Sequence, residues 1–155
     1  MKLKIGDTAP DFKLQNGEKE FIQLSSFKDN SNVLVLFYPL AFSSVCTNEL
    51  CTIRDNMKLY SAFDATVIAI SVDSLFVQGA FKKAQNINYE LLSDFNKTVS
   101  KSYGVLNDDF FGMAGVSKRS AFVIDKLGLI QYEEVLEDAS LVPDFQAIQS
   151  TLTKL

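Results

Sequence analysis

The sequence predicts an α/β sandwich built on a mixed central sheet flanked by helices. Three observations lead there. Two apolar, β-branched runs, "NVLVLFY" from Asn32 to Tyr38 and "ATVIAISVD" from Ala65 to Asp73, read as strands buried on both faces. Each is followed by a stretch with helical spacing. Near the C-terminal end, "SAFVID" and "LIQYEEV" flank the turn "KLG" and read as a closing hairpin.

In chain order, "APDFKLQNGEKEFIQLSSF" alternates in short pieces around Asn16-Gly17, a hairpin signal. Pro39 ends the first buried run. Ser44 to Phe63 reads as one helix, because Leu50, Ile53, Met57 and Tyr60 recur at three- and four-residue spacing. After the second buried run, "SLFVQGAFKKAQN" is a helix capped by Asp73 or Ser74. "YELLSD" is a short strand or loop, and "NKTVSKSYGV" a short helix stopped by Gly104. "LVPDFQAIQSTLTKL" is a C-terminal helix with Pro143 in its opening turn. No repeat, low-complexity tract or Pro/Gly linker interrupts the series, so residues 1–155 read as a single domain.

Composition narrows the function. Apolar residues make up 47% and charged residues 22% of the 155-residue chain, as in an ordinary globular domain. The net charge of −4 and only two arginines, Arg54 and Arg119, argue against a nucleic-acid surface. The sequence holds no apolar run long enough for a membrane-spanning helix, and "MKLKIGDTAPDF" lacks the apolar core of a signal peptide. The expected setting is the reducing cytoplasm, where a nearby pair of cysteines serves redox or metal chemistry more often than stapling. Histidine is absent, so two thiols cannot complete a Cys/His zinc site and no His-based triad exists. No metal, flavin or phosphate-loop motif is visible, and no cofactor is expected.

Both cysteines fall in "FYPLAFSSVCTNELC". Cys46 sits in the first turn of the expected helix, where unpaired N–H groups and the positive dipole end favour a thiolate. Ser43 can donate its hydroxyl to that sulfur or to a substrate oxygen. Pro39 removes a backbone donor and stiffens the approach. A buried, unreactive cysteine is the alternative. Cys51 lies five residues on, about 8.6 Å between Cα atoms along a helix, beyond the roughly 7 Å reach of a disulfide. The two cannot bond while that helix is intact. Arg54 reads as a solvated or salt-bridging residue. Phe110, Phe111 and Met113 cluster in the loop "NDDFFGMAGVS" and either cover the edge of the core or form a homodimer contact.

These residues resemble the peroxiredoxin family. "PLAFSSVC" is similar to its active-site pattern, with Pro39, Ser43 and Cys46 at the pattern's positions and serine where threonine is more common. "IGDTAPDFKL" resembles the family's opening strand, and "SKRSAFVID" the strand that carries its active-site arginine, here Arg119. The branch resemblance is mixed: "FYPLAFSSVCTNEL" looks AhpE-like, whereas Cys51 is placed as in the bacterioferritin-comigratory-protein (PrxQ) branch. The resemblance implies a thioredoxin-like fold and a thiol peroxidase. Cys46 thiolate would attack hydrogen peroxide or an alkyl hydroperoxide and become a sulfenic acid. Arg119 would hold thiolate and peroxide oxygens, Ser43 would bond the peroxide, Pro39 would shield the sulfur, and Glu49 would orient Arg119. The Glu49 position equally suits an exposed first-turn glutamate. Cys51 would resolve the sulfenic acid as an intramolecular disulfide, and thioredoxin or a similar dithiol would reduce it. A one-Cys enzyme served by an external thiol, and a non-enzymatic redox sensor or binding protein, are the alternatives. A thioredoxin-type oxidoreductase is disfavoured by the four-residue spacer between the cysteines.

Overall fold

The computed structural model describes residues 2–155. Seven strands form the central sheet: β1 (Lys13–Asn16), β2 (Phe21–Gln23), β3 (Asn32–Phe37), β4 (Ala65–Ser71), β5 (Glu90–Ser93), β8 (Ser120–Ile124) and β9 (Ile130–Val135), in the order β2-β1-β5-β4-β3-β8-β9. β3, β4 and β5 run parallel; β8 pairs antiparallel with β3 and β9 antiparallel with β8, while β1 pairs antiparallel with β5 and β2 antiparallel with β1. The sheet is therefore mixed, as the sequence pattern predicts. β6 (Leu106–Asn107) and β7 (Val116–Ser117) form a separate two-stranded antiparallel sheet.

Both faces of β3 are buried, which is why its sequence is apolar without alternation. Leu34, Leu36 and Tyr38 point to one face, against α1 (Ser44–Asp55), α2 (Met57–Ala62), α3 (Leu75–Ala84) and α5 (Phe145–Thr153), through Leu50, Ile53, Tyr60, Phe81, Ile148 and Leu152. Val33, Val35 and Phe37 point to the other, where Phe12, Leu24 and α4 (Thr98–Ser102) close a second apolar layer with Tyr103 and Phe122.

The expected helix from Ser44 to Phe63 divides at Asn56. Asn56 donates its side-chain amide to the Thr52 carbonyl at 2.8 Å, and its backbone turns to φ −112°, ψ 17°. A side chain that competes for a helical carbonyl breaks the ladder there. Ser74 caps α3 by accepting from Val77 N at 3.2 Å, while Asp73 bonds elsewhere. "YELLSD" supplies a strand, β5. Gly104 has φ +69° and ends α4 as expected. The C-terminal helix starts later than the sequence suggests: Asp144 accepts from Ala147 N at 3.0 Å and caps it, leaving Pro143 outside.

The hairpin turn after β1 lies against α3 without side chains between them. A methyl group on Gly17 would stand 2.4 Å from Gly79 Cα. Gly17→Ala should lower stability by about 1–3 kcal/mol, the usual result of overpacking, read by equilibrium urea unfolding. An unchanged midpoint would contradict this backbone contact.

Candidate active site

The parallel strands end on one edge of the sheet, and the chain leaves β3 there through residues 38–43 to enter α1. Crevices at such strand ends are where open α/β sheets place ligands. Cys46 occupies the first turn of α1 and has no exposed surface. The first intrahelical bond runs from Thr47 N to Ser43 O at 2.9 Å. The N–H groups before it have no helical acceptor and face the helix entrance.

Arg119 reaches this point through strand register. β8 runs antiparallel to β3 with Phe37 opposite Ser120, so Arg119 stands at the edge where β3 ends. It shares parity with Ala121 and Val123, which pack on the same face as Cys46 and Leu50. A one-residue slip would turn it to the other face. Its backbone is held in turn by Leu136 N, which donates to Arg119 O at 2.9 Å.

The Arg119 guanidinium is buried. Nη1 donates to Cys46 Sγ at 3.3 Å and to Glu49 Oε1 at 2.7 Å, and Nη2 donates to the Ala139 carbonyl at 3.0 Å. Glu49 is buried as well, one helical turn after Cys46, so the exposed-glutamate reading is corrected. The reason lies 70 residues away: without Arg119, a carboxylate there would be an unpaired buried charge. Among the described residues, Glu49 Oε2 and Arg119 Nε have no partner. Burial pulls the guanidinium towards neutrality, but Glu49 and Cys46 beside it hold its pKa above the usual arginine value. Burial pushes Glu49 up to about 7, against the pull of Arg119.

Ser43 does not donate to the sulfur. Its hydroxyl donates to Leu40 O at 2.7 Å, which leaves the oxygen lone pairs as acceptors. Pro39 is buried in the same loop. A cleft of about 200 Å³ lies over Arg119, walled by Ser43, Val45, Phe110, Phe111 and Ala139. Phe110 and Met113 close a tight hairpin through paired backbone bonds of 2.9 Å, with Phe111 and Gly112 both at positive φ. Phe111 is 89% exposed at the tip and packs edge-on against half-buried Phe110, so Phe111 itself does not cover the core edge.

Cys51 is half-buried and faces the end of α3, where its thiol lies 3.6 Å from Gln85 Oε1. Both cysteines are free thiols. Arg54 pairs with Asp55 at 2.9 Å and donates to Gln85 O at 2.6 Å, away from Cys46, in keeping with a salt-bridging role. Two contributors escape a sequence reading. Ala139 acts through its backbone carbonyl, which no side-chain pattern announces. Asp73 reads as a helix cap but accepts from Ala41 N at 2.7 Å in the loop before Cys46.

The Glu49 shift has a defined pH consequence. Unfolded Glu49 titrates near 4.5 and folded Glu49 near 7. The folded state holds the proton to higher pH, so this contribution to stability is full below pH 4.5 and is lost as pH rises through about 7. The stability of wild type relative to Glu49→Gln should therefore fall by roughly 3 kcal/mol across that window, in urea titrations at its two ends. A difference that stays flat, or grows with pH, would contradict it.

Known proteins resemble this chain over most of its length. Residues 5–133 match the AhpC/TSA family. Alkyl hydroperoxide reductase E of Mycobacterium tuberculosis is 35% identical over 135 residues, 86% of each chain. A putative peroxiredoxin of Synechocystis is 36% identical over 143 residues, covering 86% of this chain and 69% of that one. Among solved structures, peroxidoxin BcpB from Mycobacterium tuberculosis superposes with a TM-score of 0.87 at 30% identity, over 99% of this chain and 98% of that one. Reduced 2-Cys peroxiredoxin of Plasmodium vivax gives 0.85 at 31% identity, over 96% and 80%. With its thioredoxin-like fold, the chain belongs to the AhpC/TSA family of peroxiredoxins and is a thiol-dependent peroxidase.

Proposed function

We propose that Cys46 is the sulfur that attacks peroxide, served by Arg119, Ser43 and Pro39, with Glu49 orienting the arginine. The observation that carries this reading is the 3.3 Å contact between Arg119 Nη1 and Cys46 Sγ, both buried, at a helix N-terminus. A fixed cation and a dipole end favour negative charge on that sulfur. The remaining Arg119 N–H groups can meet the charge that develops on the peroxide oxygens. Ser43, its proton already given to Leu40 O, accepts the peroxide O–H and so aims the O–O bond at the sulfur.

In the chemical step a sulfur–oxygen bond forms and the O–O bond breaks. The leaving alkoxide or hydroxide takes up a proton, so thiol and hydroperoxide become sulfenic acid and alcohol or water. The mouth of the cleft is apolar at Val45, Phe110 and Phe111, which suits alkyl hydroperoxides as well as hydrogen peroxide. Cys51 then condenses with the sulfenic acid, releasing water and leaving a disulfide that thioredoxin or a similar dithiol reduces by exchange. That step requires the first turns of α1 to unwind, since helical spacing holds the Cα atoms about 8.6 Å apart. Exposed Phe111 and Met113 beside the cleft supply the apolar contact of a homodimer. A reducing cytoplasm is the setting in which the cycle runs.

One observation favours a second route. The Cys51 thiol points to Gln85, within an intact α1, so an external thiol could reduce Cys46 directly. Intact mass after one equivalent of hydrogen peroxide and a thiol block separates the routes. Loss of two hydrogens in wild type, with an added oxygen on Cys46 only in Cys51→Ser, supports resolution by Cys51. An added oxygen in both supports the external thiol. No change in either overturns the assignment of Cys46. Arg119→Met should slow sulfenic acid formation by about 10²–10³-fold, the usual effect of deleting an oxyanion donor. Ser43→Val should slow it by roughly 10- to 100-fold through lost alignment. A rate near wild type in either variant would remove that residue from the mechanism.

A further inference from the structure

We propose that Asp73 is a positioning residue for peroxide attack, fixing the loop between β3 and α1 and through it Pro39 and Ser43. The inference rests on Cys46 being the sulfur that peroxide oxidises. Asp73 touches neither Cys46 nor Arg119 by hydrogen bond. Its Oδ2 accepts from Ala41 N at 2.7 Å and from Ser71 Oγ at 2.6 Å. Ser71 Oγ in turn accepts from Gln78 Nε2 at 2.9 Å, and Gln78 Oε1 accepts from the Tyr38 hydroxyl. Gln78 Nε2 also donates to Leu92 O at 2.9 Å, which ties the chain of bonds to β5.

These bonds close a ring. Tyr38 immediately precedes Pro39, so the path from Tyr38 through Gln78, Ser71 and Asp73 to Ala41 returns along the backbone to its start. Tyr38, Ser71 and Gln78 have no exposed surface. Each group in the ring has its donor or acceptor role dictated by its neighbour, and inside a protein such a chain favours a single arrangement. The ring spans the ends of β3 and β4 and the start of α3.

The loop needs that support. It has no ladder bonds of its own beyond Tyr38 N, which donates to Ile70 O at 3.0 Å. Pro39 cannot donate. Phe42 sits at φ +68°, a left-handed conformation that is unfavourable for a residue with a Cβ. Such a conformation persists where its surroundings over-determine it. The Asp73 bond to Ala41 N acts on the residue before Phe42. The Ser43 bond to Leu40 O acts on the residues either side, and the Phe42 ring rests 5.0 Å from that of Phe81. Because Ser43 gives its proton to Leu40 O, the direction of its lone pairs follows the Leu40 carbonyl. That carbonyl belongs to the segment that the ring clamps at both ends. Asp73 thus aims the Ser43 oxygen into the cleft without taking part in the chemistry.

A role confined to aiming predicts a split between two reactions of one sulfur. Peroxide attack needs Ser43 and the loop in place; alkylation by iodoacetamide needs only an accessible, charged sulfur. In a Cys51→Ser background, quenched-flow mass detection gives the rate of sulfenic acid formation, and iodoacetamide gives the alkylation rate. Asp73→Ala should slow the peroxide reaction by about 10- to 100-fold, since a displacement near 1 Å can cost that much, with alkylation changed less than about twofold. Asp73→Asn keeps an acceptor for Ala41 N and should stay within about threefold of wild type. Ser71→Ala removes one ring hydroxyl, keeps the Ala41 bond, and should slow only the peroxide reaction by about three- to tenfold; it carries the test if Asp73→Ala fails to fold. Peroxide and alkylation rates that fall together, or a peroxide rate unchanged in Asp73→Ala or Ser71→Ala, overturn the proposal and leave the Cys46 assignment standing. A parent protein whose Cys46 does not react with peroxide overturns both.

Discussion

The buried pair of Arg119 and Glu49 is the constraint on which the site depends. Taking a guanidinium and a carboxylate out of water costs several kcal/mol per ion, and a pair so placed is poor evidence of added stability. Here the geometry leaves the pairing incomplete, since Arg119 Nε and Glu49 Oε2 have no partners among the described residues. Burial raises Glu49 to about 7 against the pull of Arg119. One cation also faces two groups able to carry negative charge, Cys46 and Glu49, 3.3 and 2.7 Å from the same nitrogen. In the proposed mechanism the arrangement is a store of positive potential for the sulfur and the peroxide oxygens, and the same pair ties α1 to β8.

The fold delivers this pair by topology rather than by proximity in sequence. Cys46 and Glu49 come from the helix that follows β3; Arg119 comes from the antiparallel neighbour of β3 on the side away from β4. Parallel pairing of β3 with β4 brings Asp73 to the same edge, because Tyr38 and Ser71 leave their strands at the same level. The mixed sheet is thus what allows one sheet edge to present a helix entrance, an arginine and an anchoring carboxylate together. A purely parallel sheet would place the start of the next strand at the opposite edge.

How much of this the sequence discloses follows from the range of each interaction. The buried strands β3 and β4 are legible because burial on both faces leaves no polar residue to break the run. Cys46 and Ser43 are legible from local chemistry, and Arg119 from its resemblance to a motif. Glu49 is named by the same resemblance, but its local chemistry leaves it equally at home in solvent, and only a cation 70 residues away decides. Asp73 and Ser74 read as alternative caps, and the pattern does not choose between them. The position of Asp73 after a strand and before a helix suits a cap, yet Ser74 takes that role and frees Asp73 for Ala41. The split at Asn56 and the late start at Asp144 are local, but each turns on a side chain choosing between a backbone group and water. Periodicity carries no record of that choice.

The helix that carries Cys46 imposes an order on the chemistry. Glu49 lies between Cys46 and Cys51 on α1, so the turns that must unwind for those sulfurs to meet are the turns that hold Glu49 against Arg119. Arg119 can serve the sulfur or release the helix, but it cannot do both at once. Farther along, the same stretch is pinned from outside: Tyr89 donates to Leu50 O at 2.7 Å, and Arg54 to Gln85 O at 2.6 Å. Unwinding confined to the first turns leaves the Arg54 contact intact, while a bond to Cys51 must disturb Leu50 beside it. The arrangement that keeps Cys46 buried next to its cation therefore opposes the arrangement that lets Cys51 reach it. In the proposed cycle, attack on peroxide and closure of a disulfide require two different states of one helix, and the Arg119–Glu49 pair belongs to the first of them.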